Sequence, residues 1–167
     1  MTQKSQLIEG IVLTVFFSLF LYLALGMQWD QKIMHDFPYG YGASDAFFHQ
    51  SVAEYMKEEG KIIFTPPYEV GGYSGVYDAH PPMLFELSSL VSLFSGVQVY
   101  DTILLVTSIF WAFCGIIVYL LIRRFNVMVA LLSLPVMILT LTGNYKIALP
   151  WGYWLFITGV FFMLAVF

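Results

Sequence analysis

The sequence predicts an all-α integral membrane protein with about four transmembrane helices and two juxtamembrane helices in a long first outer loop. Composition is the first ground: 59% of the 167 residues are hydrophobic and only 11% are charged, against about 25% charged in a typical soluble domain. Mean hydropathy is +0.78. Second, the stretches Gly10–Trp29, Thr102–Ile122, Phe125–Tyr145 and Ile147–Phe167 carry no charge. Each is close to the ~20 residues a helix needs to cross a ~30 Å hydrocarbon core. Lipid offers the backbone no hydrogen bonds, so such runs satisfy their own as helices. Third, most ionisable side chains lie between residues 28 and 98.

Residues 1–27 hold the first span, from about Leu7 to Met27. Lys4 precedes it in the manner of a signal sequence. The apolar run exceeds the roughly 7 to 15 residues of a signal core, and Leu25-Gly26-Met27 is a poor cleavage site, so an uncleaved anchor is expected.

Residues 28–98 form the outer loop, with its first helix over Ser44–Glu59. Ser44 is the expected N-cap, Asp45 favours the first turn, and Glu58 to Gly60 mark the end. Phe48, Val52, Tyr55 and Met56 supply the apolar stripe. Pro66-Pro67, Gly71-Gly72 and Gly75 then break regular structure. A second helix is expected over 82–96, opened by Pro81-Pro82 and closed by Gly96. Leu84, Leu87, Leu90, Val91 and Phe94 fall on one side and Glu86, Ser89 and Ser92 on the other, the pattern of a helix lying in the interface. A competing reading makes Pro82–Gly96 a full span, but it is short, contains Glu86, and would move Arg123 and Arg124 outside.

Residues 99–167 supply the remaining spans, Val99–Ile122, Val127–Leu141 and a last one from Trp151. Lys4 and the Arg123-Arg124 pair are cytoplasmic by the positive-inside rule, which puts the long loop outside, with the plasma membrane the expected location. Trp29, Trp151 and Trp154 read as interface anchors. The apolar ending Phe161–Phe167 has no polar flank and reads as a truncated chain or one piece of a larger protein.

A net charge of -4 provides no basic patch, so nucleic-acid binding is not expected. Cys114, the sole cysteine, reads as a small packing residue. No glycine-rich phosphate loop, G-x-S-x-G elbow or H-E-x-x-H helix is present.

Candidate chemistry gathers in Ser44-Asp45-Ala46-Phe47-Phe48-His49 and Tyr77-Asp78-Ala79-His80-Pro81-Pro82. Asp45 and His49, four apart on a helix, share a face on which a carboxylate and an imidazole can hold a metal or a proton. Asp78 and His80 precede a helix N-terminus, where amides and dipole favour a phosphate. Plainer readings stand beside these. Asp45 suits any first turn, His49 any half-exposed helix, and Asp78 an Asx turn. Lys146 reads as a snorkelling cation or a substrate contact, and Lys32, His35 and Asp36 as surface charge.

Both clusters, with Gly42-Ala43, Ala53-Glu54-Tyr55 and the Gly71-Gly72-Tyr73 turn, resemble the N-terminal transmembrane module of GT-C membrane glycosyltransferases such as oligosaccharyltransferases and protein mannosyltransferases. The order of parts is also similar. The resemblance implies an inverting transferase that takes a sugar from a polyprenyl-phosphate carrier and hands it to an acceptor on the non-cytoplasmic face. Asp45 then matches the first-loop aspartate that binds a divalent metal (Mg or Mn) or activates the acceptor. His80 matches a cation placed against the donor phosphate, with His49, Asp78 and Lys146 as further substrate-binding candidates. Many members carry a second acidic motif after the third span; Thr142-Gly143-Asn144-Tyr145-Lys146 has no acid. Members are also longer, so the expected partners are the lipid-linked sugar, the bilayer, and other subunits or a C-terminal part. The alternative is a non-catalytic GT-C-like subunit that binds lipid or scaffolds a larger membrane complex. A transporter is disfavoured because the spans hold no internal charge.

Overall fold

In a computed structural model of the chain, residues 3–26, 35–64, 80–142 and 148–166 are described, and every regular element among them is helical. In chain order these are α1 (Gln3–Gly26), α2 (Ser44–Glu59), α3 (Met83–Ser95), α4 (Val99–Arg123), α5 (Val127–Leu139), α6 (Ala148–Trp151) and α7 (Trp154–Ala165).

The axis of the molecule is α4, with α1, α3, α5 and α7 packed around it. Its small and apolar side chains are buried from Val99 through Tyr119. Against it α1 runs antiparallel. Phe20 meets Trp111 at 5.9 Å between ring centroids and Phe17 meets Phe113 at 5.1 Å. Gly115 lets the two helices close, because a Cβ there would lie 2.6 Å from the Phe16 ring. At one end of this pair, Glu9 accepts hydrogen bonds from Arg123 Nη2 (2.6 Å) and the Tyr119 hydroxyl (2.9 Å). An ion pair so placed fixes the register of the two helices and neutralises the one acid inside α1.

After α4 the chain turns at Asn126, whose side chain accepts from the amides of Met128 (2.9 Å) and Val129 (3.1 Å) and so caps α5. Running in the direction of α4, α7 brings Phe161 to 4.8 Å from Phe110. At the end of the bundle opposite Glu9, α2, α3 and α6 gather over the start of α4.

The outward faces of these helices are apolar. Leu7, Ile8, Ile11, Val15 and Leu19 of α1, and Met128, Leu132, Val136 and Leu139 of α5, are all exposed. Contiguous apolar surface on this scale is rare on soluble monomers. Two helices are long and apolar enough to cross a membrane, Gln6–Gly26 with 21 residues and Val99–Arg123 with 25. The expectation of four spans is met in part, by these two helices; the other two apolar helices are shorter. With 13 residues, α5 reaches only about 20 Å at ~1.5 Å per residue, and α7 has 12. A helix of the length first expected from Trp151 is broken at Gly152, whose φ is +86°.

Three further expectations change. Ser44 is the first residue of α2 rather than its cap; Ala43 takes that position with extended backbone and no side-chain cap. Trp154 is no interface anchor, for it is fully buried and its Nε1–H donates to the Leu149 carbonyl at 2.6 Å. The third change is in α3, whose inward face is Leu84, Phe85, Ser88, Ser89 and Ser92, while Leu90, Leu93 and Phe94 point out. Ser89 and Ser92, expected on the side opposite the leucines, are therefore part of the packing surface. Ser89 donates to the Ala53 carbonyl of α2 at 2.6 Å, and Thr102 of α4 donates to the Ser88 carbonyl at 3.0 Å. Small hydroxyl side chains let backbones approach and satisfy themselves across the gap, which is the packing logic of helices in lipid. The ends of α2 and α3 match the sequence reading: Gly60 and Gly96 both adopt the left-handed conformation and close the helices with bonds to Met56 and Ser92.

Candidate functional site

Asp45 and His49 lie one turn apart on α2 but at different depths. Asp45 is exposed, with the Ser44 hydroxyl 3.5 Å from its Oδ1. His49 is 6% exposed. Its ring is enclosed by aromatic neighbours: Phe85 of α3 and His80 at 5.5 Å, and Trp154 of α7 at 5.8 Å between centroids. The exposed His80 sits just before α3 and also meets Phe48 at 5.8 Å. The structure thus brings two of the sequence-predicted residues, His49 and His80, together at the crossing of α2, α3 and α7. Asp45 stands at the open edge of the same end. Asp78 and Lys146 lie outside the described residues, as do the Gly71-Gly72-Tyr73 turn and Lys32.

The edge beside Asp45 comes from the far end of the sequence. Gly42 N–H donates to the Pro150 carbonyl at 2.7 Å. Gly152 packs so closely on α2 that a Cβ there would lie 2.6 Å from the Ala46 nitrogen and 2.8 Å from the Asp45 carbonyl carbon. Only glycine combines this approach with a positive φ. The exposed Trp151 and Tyr153 flank this corner. Sequence reasoning missed the corner because its contacts are made by backbone atoms; the glycine between two aromatic residues was its only trace.

A second buried cluster was also missed. His35, read as surface charge, has a side chain 6% exposed, and its Nδ1 is 3.0 Å from Oδ1 of the fully buried Asp101. The His35 amide donates to Oδ2 of the same carboxylate at 3.1 Å, and the Tyr100 hydroxyl donates to the His35 carbonyl. Asp101 occupies the first turn of α4, where amides and dipole favour a carboxylate. Nearby, Tyr41 donates to the Tyr100 carbonyl at 3.0 Å and packs its ring on Phe47 and Trp154, each at 5.2 Å. Burial raises the Tyr41 phenol far above its ordinary range, and the negative fields of Asp101 and Glu54 add to this. Tyr41 therefore stays a neutral donor. The cluster ties residues 35–41 to α4 and, through Tyr41, to the wall around His49.

Among the described residues, no three His, Cys, Asp or Glu side chains are grouped so as to hold one metal ion. What Asp45 offers is an accessible carboxylate on the helix that also carries His49, a group that accepts protons and hydrogen bonds from hydroxyls. No protein-family model matches this chain, and no curated protein or solved structure matches it either.

Proposed function

We propose that this chain is the membrane module of a glycosyltransferase that uses a polyprenyl-phosphate-linked sugar and acts on the non-cytoplasmic side, with N-terminus cytoplasmic, α2 and α3 as juxtamembrane helices, and α5 and α7 as the cores of two further spans. The observation that carries the reading is the exposed Asp45 at the end of an apolar bundle, on the helix that also brings His49 to His80. A lipid-linked phosphate and a water-borne acceptor would meet at such a depth.

In this reading the acceptor hydroxyl gives its proton to the Asp45 carboxylate while its oxygen bonds to the anomeric carbon. The bond from that carbon to the phosphate oxygen breaks, and the electron pair leaves on the polyprenyl phosphate. A base matched to the proton it takes contributes roughly 10²–10⁴-fold. His80, exposed just before α3, donates in this reading to the departing phosphate oxygens.

The test is transfer of radiolabelled hexose from polyprenyl phosphate by purified protein. Asp45→Asn should lower turnover by at least about 100-fold while membrane insertion is kept. Unchanged turnover would remove the assignment. Wild-type protein that binds the lipid-linked sugar yet never turns it over would favour the non-catalytic lipid-binding subunit, a reading supported by the lack of an acidic residue in Thr142-Gly143-Asn144-Tyr145-Lys146.

A further inference from the structure

We infer that Trp151 and Tyr153 form an aromatic platform that holds a hexose ring of the substrate beside the Asp45 carboxylate, an assignment that rests on the glycosyltransferase reading and names the part of the substrate this corner meets. Two large aromatic side chains are left 45% and 47% exposed on either side of a glycine, while the next residue, Trp154, is fully buried. Their positions relative to Asp45 are set at three points. The Gly42 amide donates to the Pro150 carbonyl at 2.7 Å. The Trp151 indole lies across the entry to α2, with its Cδ1 3.4 Å from where a Gly42 Cβ would be. Gly152, at φ +86°, seats its backbone against the peptide joining Asp45 to Ala46.

A pyranose has a face of C–H bonds and a rim of hydroxyls. Aromatic rings take the former by burying apolar area and offering the negative face of the π-system, and a carboxylate takes the latter through charge-assisted hydrogen bonds. Few aromatic walls with a few convergent polar groups are the usual make-up of a small-ligand site. Membrane anchoring alone also leaves tryptophan and tyrosine exposed near a bilayer surface. An anchor, however, requires no fixed relation to a carboxylate, and here the corner is seated on the residue pair that contains one.

The experiment measures binding of the full chain in nanodiscs to two probes, polyprenyl phosphate bearing one hexose and the same polyprenyl phosphate without sugar. Trp151→Ala is expected to weaken the hexose-bearing lipid by about tenfold and leave the bare lipid within about twofold, and Trp151→Phe to retain most of the affinity. Tyr153→Ala is measured alongside, so that misfolding of one variant does not decide the matter. Equal effects on both lipids, including none, would overturn the platform and leave the glycosyltransferase reading in place. Wild-type protein that binds neither lipid would overturn both.

Discussion

Asp101 shows how much one side chain decides. A carboxylate in the first turn of a membrane helix would ordinarily be read as an interfacial charge, yet it is fully buried and receives both the ring and the amide of His35. Removing it leaves those donors without their acceptor, and a buried unsatisfied group costs about 1–3 kcal/mol, more when charge is involved. Asp101→Ala is therefore expected to lower stability by about 3 kcal/mol, and Asp101→Asn, which keeps the shape and one acceptor, by less. Thermal unfolding of the detergent-purified protein checks this; equal melting of both variants with wild type would show that the clasp contributes nothing. At this scale the sequence was partly legible. Asp45 could be placed at the first turn of a helix from Ser44, Asp45 and the following apolar stripe. The His35–Asp101 pair could not, because 66 residues separate the partners and nothing local signals which distant group a histidine meets.

At the scale of elements, the informative case is α3. Read as an interfacial helix, it has Leu84, Leu87, Leu90, Val91 and Phe94 on one side and Glu86, Ser89 and Ser92 on the other; the structure packs Leu84 and Phe85 together with the serines and turns Leu90, Leu93 and Phe94 outward. Periodicity located the helix and its limits, since Gly96 ends it in the left-handed conformation. It could not tell which face is inner, because a hydrophobic side chain gains little by leaving lipid for protein, and close approach of backbones then favours small residues. Ser89→Leu should accordingly separate α3 from α2, break the bond to Ala53, and cost about 1–3 kcal/mol as overpacking. Leu93→Ser, on the outer face, should leave the folded packing intact and weaken only the contact with lipid. Unfolding of both variants in the same detergent is the check, and the reverse ranking would put the serines opposite the packing surface.

For the whole molecule the question is which ends face which side. The Glu9–Arg123–Tyr119 cluster marks one end of the α1–α4 pair, and α2, α3 and α6 occupy the other. With Cys114 replaced by serine, Ser95→Cys at the end of α3 and Phe125→Cys just after α4 place single thiols before and after α4, both at exposed positions. A membrane-impermeant thiol reagent on intact cells should label the first and spare the second until the membrane is opened. Labelling of both before opening would mean that α4 does not cross.

Composition and the uncharged runs were enough to predict helices, which every regular element among the described residues is, and the first two runs lie largely in the two helices long enough to span a bilayer; Gly60 and Gly96 were enough to end α2 and α3. These are local quantities, carried by the solvent preference of a segment and the backbone freedom of single residues. Only the tertiary structure decided that the serine face of α3 is the inner one and that Gly152 sets the Trp151–Tyr153 corner against Asp45. Those features depend on contacts between segments as much as about 100 residues apart, where steric fit and backbone hydrogen bonds choose among arrangements that hydrophobic periodicity leaves equal in energy.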